Sequence, residues 1–272
     1  MTNISSDSNQ DTSGPSILGI WRLGEAIHTG RKAELTLAQP ADADGSPRWD
    51  YVIKRALMER DSIENVRDIV QFSSAASAAS HPNLVPVLDA SVTGSSPYLV
   101  MPRLEGPTMA ELMAQQIKPL PVALWLARQT AQGLSALHSV GWIHGDVKPE
   151  NIIVGSNGHV TVIDLGFATK IHTASRNQFR GTPEYAAPEM LTENMAALPA
   201  ADIFSLGRVL WKWLTKIEPA SESSLEPVAE LIQQMVSDEP GERPTATFVT
   251  QQLLRLEIET LGQHMGPRLR AA

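Results

Sequence analysis

Residues 144–166 read His144-Gly145-Asp146-Val147-Lys148-Pro149-Glu150-Asn151, Ile152-Ile153-Val154, Gly155-Ser156-Asn157-Gly158, His159-Val160-Thr161-Val162-Ile163 and Asp164-Leu165-Gly166. Two short runs of β-branched residues flank a stretch of Gly, Ser and Asn, the composition of two strands joined by a tight turn. Such a hairpin returns the chain to where it began. Its polar ends, Asp146 to Asn151 on one side and Asp164 on the other, therefore come together. Any one of these residues alone would pass for an ordinary turn former; the set of them at one place calls for a chemical reading.

A carboxylate to accept a hydroxyl proton, oxygen ligands for a hard cation and a nearby ammonium are the groups that phosphoryl transfer needs, because that reaction depends on positioning and charge neutralisation. The segment offers Asp146 as the base, Lys148 as the cation, and Asn151 and Asp164 as ligands suited to Mg²⁺.

Outward from this stretch, the chain divides by composition. Residues 1–17, rich in Ser, Asn, Asp and Thr, have almost nothing to bury and read as a disordered tail. Short strands are expected around Ile20–Ile27, Glu34–Ala38, Trp49–Lys54, Leu84–Asp89 and Pro97–Met101, with one helix from Ser62 to Ala79 that stops at His81-Pro82-Asn83. Beyond these the pattern turns helical: Thr108–Gln116, Pro121–Ser139, Ala200–Thr215, Leu225–Ser237 and Thr245–Leu261. No repeat is visible at solenoid periods.

With 272 residues and 42% hydrophobic content the chain can bury a large core. A net charge of −8 argues against a broad nucleic-acid or anionic-membrane footprint, so an anionic ligand must be met by local basic groups. The absence of cysteine excludes disulfides, thiolate zinc sites and a cysteine nucleophile. The start of the chain lacks a signal-peptide pattern and no apolar run reaches membrane-spanning length, so a cytoplasmic protein without membrane insertion is expected.

The central segment resembles the protein kinase family, whose catalytic loop is H-R-D-L-x-x-x-N and whose metal-binding turn is D-F-G. The Lys148-Pro149-Glu150-Asn151 ending is similar to the Ser/Thr branch. Further along, Gly181-Thr182-Pro183-Glu184-Tyr185-Ala186-Ala187-Pro188-Glu189 matches the substrate-facing turn and the A-P-E motif. Asp202 to Gly207 resembles the buried helix that follows, and Arg243 the late arginine that pairs with the A-P-E glutamate, here Glu189. The resemblance runs from about Leu18 to Leu256.

It implies an α+β, two-lobed fold: a small antiparallel β lobe with one helix (18–104), a larger helical lobe (105–258) and a short C-terminal tail (259–272). It also implies ATP and Mg²⁺ as cofactors and a protein substrate with a Ser or Thr acceptor. Asp146 and Lys148 would be catalytic, and Asn151 and Asp164 would hold the metal. Ile27, Gly30, Leu35, Val52, Lys54, Met101, Leu104 and Ile153 would hold the nucleotide. His144, Asp202 and Arg243 are expected to be structural, since buried polar groups persist when paired. The remaining histidines show no ligand spacing and read as surface or packing residues.

Several positions depart from the family's pattern. The Gly-rich loop aligns with His28-Thr29-Gly30-Arg31-Lys32-Ala33, so only its middle glycine is kept, and Arg31 and Lys32 stand at the tip. Val52 replaces a small alanine packed on adenine. Counting back from His81-Pro82-Asn83, the helix should offer an acid to Lys54 near Phe72 or Gln71, yet Glu64 and Asp68 come one or two turns early. Gly145 replaces the arginine that binds a phosphorylated activation loop, so phosphate on Thr169, Thr173, Ser175 or Thr182 should not be a strong on-switch. The stretch Thr215–Ser224 is too short for the family's usual loop and docking helix, which suggests a regulatory protein partner in substrate recognition. The primary expectation is an ATP-dependent Ser/Thr protein kinase of the bacterial stand-alone type. The alternative is a pseudokinase, a nucleotide-binding or scaffolding module with little turnover.

Overall fold

The computed structural model describes residues 16–58, 62–94, 96–115, 117–173, 179–191 and 196–269. The expected N-terminal tail, apart from its last two residues, and Ser175 lie outside them. The first lobe is a six-stranded antiparallel sheet of β1 (Ile17–Leu18), β2 (Trp21–Thr29), β3 (Ala33–Pro40), β4 (Tyr51–Ala56), β5 (Asp89–Ser91) and β6 (Tyr98–Pro102), in the order β1-β2-β3-β4-β6-β5. Helix α1 (Ser62–Ala78) packs against it.

The second lobe contains α2 (Met109–Gln115), α3 (Leu120–Ser139), β7 (Trp142–Ile143), β8 (Ile152–Val154), β9 (Val160–Val162), β10 (Thr169–Lys170), α4 (Pro199–Leu214), α5 (Glu222–Met235) and α6 (Ala246–Leu269). The two-lobed α+β fold is thus observed. Its helical core gathers Leu124 and Leu134 of α3, Leu206 and Leu210 of α4, Ile232 of α5 and Leu253 of α6. Local chemistry starts the helices where the sequence allows: Thr108 Oγ1 accepts from Glu111 N (3.1 Å) while Glu111 Oε2 accepts from Thr108 N (2.7 Å), a reciprocal cap at the head of α2. Pro199 occupies the first turn of α4, where a missing N–H costs nothing.

Two expectations need correction. Leu84–Asp89 is not a strand; β5 covers only Asp89–Ser91, and Leu84 makes a single parallel bridge to Val162. Pro86 interrupts the run, since it has no N–H to give a ladder. At the other end, the helix expected to stop at Leu261 continues to Leu269, so the boundary drawn at residue 258 falls inside α6. Thr260 is buried there, with its hydroxyl bonded to the Leu256 carbonyl at 2.7 Å.

A second apolar cluster joins the lobes: Ile69 and Phe72 of α1, Leu99 of β6, Leu137 of α3, Trp142 of β7, Val162 of β9, and Leu165. Leu165, in place of the family's phenylalanine, is fully buried in it. The cleft above this cluster is where the polar residues of the two lobes meet. Among the described residues no helix is long and apolar enough to cross a membrane.

Candidate active site

The site begins with a buried carboxylate. Asp202 on α4 accepts hydrogen bonds from His144 N (2.7 Å), Gly145 N (2.9 Å) and His138 Nε2 (2.8 Å). Burial alone would raise its pKa, but these donors and the charge of His138 outweigh it and hold the carboxyl below the ordinary value. His144 is a bracket rather than an acid or base: Nδ1 accepts from Asp146 N at 3.2 Å and Nε2 donates to the Ile163 carbonyl at 3.0 Å. Gly145 stands at φ +78°, and a Cβ there would lie 2.8 Å from the Phe167 carbonyl oxygen. A side chain such as the family's arginine would be strained at this position unless the Phe167 carbonyl shifted.

Asp146, 5% exposed, is the centre of the loop so held. Asn151 Nδ2 donates to its carbonyl (2.9 Å) and to its Oδ2 (3.1 Å), and Lys148 Nζ lies 2.7 Å from that same Oδ2. Lys148 also donates to Thr182 Oγ1 at 2.7 Å, which ties the loop to the substrate-facing turn. The β8–β9 hairpin closes as read from the sequence: Ile152 faces Val162, and Ile163 N bonds to the Asn151 carbonyl at 2.9 Å. That bond sets Asp164 next to Asn151.

Asp164 takes the left-handed conformation, φ +61° and ψ +70°, and its Oδ1 accepts from Gly166 N at 3.3 Å and from Lys54 Nζ at 2.5 Å. Burial pushes its pKa up, but Lys54 pulls harder and the carboxyl remains below its usual range. Lys54 comes from β4, where it pairs with Leu35 of β3 and Leu99 of β6. Its other neighbour is the Phe72 ring, 5.3 Å away, at the place where an acid was sought on α1. The acid that neutralises Lys54 is therefore Asp164.

A cavity of about 320 Å³ opens beside this pair, lined in part by Gly30, Lys32, Leu35, Lys54, Asp68 and Asp164. Of the nucleotide residues read from the sequence, Gly30, Leu35 and Lys54 line it. Ile27, Val52, Met101, Leu104 and Ile153 do not. Val52 and Met101 are cross-strand partners, and Met101 and Leu104 pack on the interlobe cluster. Ile27 is 46% exposed on β2, and Ile153 bridges to Thr108.

Behind the site, Arg243 makes a bidentate pair with Glu189 at 2.6 and 2.8 Å, both side chains buried. Lys212 of α4 donates to Glu184 (2.8 Å) and to the Tyr185 hydroxyl (2.9 Å), which supports the substrate-facing turn. Sequence reading missed the roles of several participants. His138 looked like a surface or packing residue, yet it pairs with Asp202; Thr182 was read as part of the substrate-facing turn and as a modification candidate, yet its hydroxyl receives Lys148. Lys32, Asp68 and Arg180 form a cluster that no local spacing announces.

The protein kinase domain family model matches residues 48–230. The chain belongs to the protein kinase family. The match begins after the divergent Gly-rich loop of this kinase domain. Among curated relatives, it is 34% identical over 173 residues to the Probable serine/threonine-protein kinase pknA2 of Bifidobacterium longum, which covers 62% of this chain and 22% of that protein. It is 30% identical over 190 residues to serine/threonine-protein kinase PknL of Mycobacterium tuberculosis, 67% of this chain and 47% of that protein. Serine/threonine-protein kinase MST20 of Pyricularia oryzae is 27% identical over 276 residues, 90% of this chain and 28% of that protein. The chain thus spans from about a fifth to a half of the length of these relatives.

Proposed function

We propose that this kinase domain transfers the γ-phosphate of ATP, with Mg²⁺, to serine or threonine hydroxyls of a protein. The observation that carries the reading is the state of Asp146: a nearly buried carboxylate whose Oδ2 is held by both Asn151 and Lys148, with the substrate-facing turn attached through the bond of Lys148 to Thr182. In that role Asp146 accepts the proton of the substrate hydroxyl as its oxygen bonds to the γ-phosphorus and the bond to ADP breaks. Lys148 neutralises charge on the transferred group. Lys54 and the cavity beside Gly30 and Leu35 receive the phosphates of the nucleotide, with Ile27, Val52, Met101, Leu104 and Ile153 assigned to the rest of it.

The donor set suits Mg²⁺. Asn151 gives both hydrogen bonds through Nδ2, which leaves its carbonyl oxygen for a cation, and Asp164 keeps Oδ2 apart from its bonds to Lys54 and Gly166. Among the described residues no cluster of three or more His, Asp or Glu could hold a metal, which fits an ion that relies on one carboxylate, waters and substrate phosphates. Bound Mg²⁺ would offset the negative charge of the phosphates.

The second reading, a pseudokinase, is favoured by one feature: with Phe72 beside Lys54, Asp164 must serve both the lysine and the metal. The test is label transfer from γ-labelled ATP with Mg²⁺ to the chain itself and to a generic protein substrate, comparing Asp146→Asn and Lys54→Met. Transfer lost in both variants supports the enzyme. A nucleotide-dependent thermal shift with no transfer supports the scaffold. The cysteine-free composition favours a cytoplasmic setting, and a regulatory protein partner remains part of the proposal because only residues 215–221 link α4 to α5.

A further inference from the structure

We infer that Asp68 is a positioning residue that couples α1 to the Gly-rich loop and to the substrate-facing segment, and so orders that segment without a phosphate. The inference rests on the kinase reading above. Asp68 lies one turn before Phe72 and is 8% exposed. Its Oδ2 accepts from Lys32 Nζ at 3.1 Å and its Oδ1 accepts from Arg180 Nη2. Lys32 sits at the tip of the β2–β3 turn, and Arg180 directly precedes Gly181. Both cations also lie over the Phe167 ring, at 5.2 Å for Lys32 and 5.0 Å for Arg180. Four segments therefore meet at one carboxylate: the Gly-rich loop, α1, the turn after Asp164, and the segment entering the substrate-facing turn.

The geometry gives the contact a direction. At Gly181 a Cβ would lie 3.2 Å from the Gly145 carbonyl and 3.5 Å from Asp146 Oδ1, and the next residue, Thr182, receives Lys148. Residues 180–182 are thus tied to α1 at one end and lie beside the proposed base at the other, where Gly181 leaves little room for a side chain. Gly145 stands where the family has its arginine, so this position carries no cation to capture a loop phosphate. Arg180 supplies a cation from within the segment itself, and Asp68 supplies the anion. Without Asp68, Lys32 would keep only its longer 3.9 Å approach to Glu64 and would face Arg180 across a half-buried site, where like charges push the two segments apart.

The lock predicts a division of kinetic effects. Arg180→Gln should lower kcat, Lys32→Gln should raise KM for ATP, and Asp68→Asn should do both. The expected loss for Asp68→Asn is roughly tenfold or more in kcat/KM, the scale of one lost charge-assisted hydrogen bond. Arg180→Lys should retain most of kcat, and phosphatase treatment of the natural chain should leave its activity unchanged. Amide hydrogen exchange gives a readout independent of turnover: in Asp68→Asn, residues 29–33 and 179–182 should exchange faster together while residues 69–78 of α1 stay protected. Unchanged exchange in both segments, loss of protection throughout α1, or inactivation by phosphatase would each overturn the inference. If the natural chain transfers no label, the kinase reading fails by itself, and the exchange experiment alone decides whether Asp68 ties these segments.

Discussion

Replacing Asp202 with Asn is the sharpest probe of how this fold holds its catalytic loop. The carboxylate takes one donor on Oδ1, Gly145 N, and two on Oδ2, His144 N and His138 Nε2. An amide has a single acceptor oxygen, so its better orientation keeps the two bonds at Oδ2 and turns an N–H toward Gly145 N. One buried donor is orphaned, at about 1–3 kcal/mol. The two remaining bonds lose the contribution of a charged acceptor, which roughly halves their strength. Together these give a destabilisation of about 3 kcal/mol, or roughly 6–12 °C in Tm for a domain of this size. Because Gly145 precedes Asp146, kcat should fall while KM for ATP changes little. The pH dependence carries a sign as well. The folded pKa of Asp202 is depressed, so the stability it contributes is present above the unfolded value of about 3.9 and is lost as pH falls from there toward the folded value. Asp202→Asn should flatten that acid limb in urea titrations. A variant within 1 kcal/mol of the natural chain, with the acid limb intact, would refute this account.

Three further outcomes follow from the same geometry. Glu189→Ala should cost about 3 kcal/mol in denaturant unfolding, at the low end for a broken buried pair because Arg243 retains the Ala200, Ser237 and Asp238 carbonyls. Gly145→Ala should destabilise by about 2 kcal/mol or more, since the residue combines φ +78° with a carbonyl 2.8 Å from the added carbon; thermal denaturation measures it. Thr182→Val should lower kcat for a peptide substrate by roughly tenfold while Thr182→Ser preserves it, because the hydroxyl and not the methyl receives Lys148; steady-state kinetics separate the two.

Much of the site was legible in the residues because its parts are close in the chain. The Asp146 to Asn151 loop, the hairpin and Asp164 are set by short spacings and turn chemistry, and the observed bonds of Asn151 and Ile163 follow that layout. The pair of Arg243 with Glu189 was reachable through the family's pattern, and the cap at Thr108 and Glu111 is written in four residues. The strand expected at Leu84–Asp89 failed because Pro86 lacks the N–H that a ladder requires, which apolar periodicity does not weigh. The last helix was expected to end at Leu261 and runs on to Leu269, and the burial of Thr260 within it depends on the neighbours it meets, not on its own polarity.

Residue order alone determined the two-lobed arrangement, the family and the set of polar groups around Asp146, since periodicity, turn composition and motif spacing act over a few residues. Tertiary structure alone decided which acid answers Lys54 and what answers Asp68. Lys54 and Asp164 are 110 positions apart, and Asp68 and Arg180 are 112. Ion pairs at such separations are chosen by how sheet, helix and turn pack against one interlobe core, and no local pattern encodes that distance.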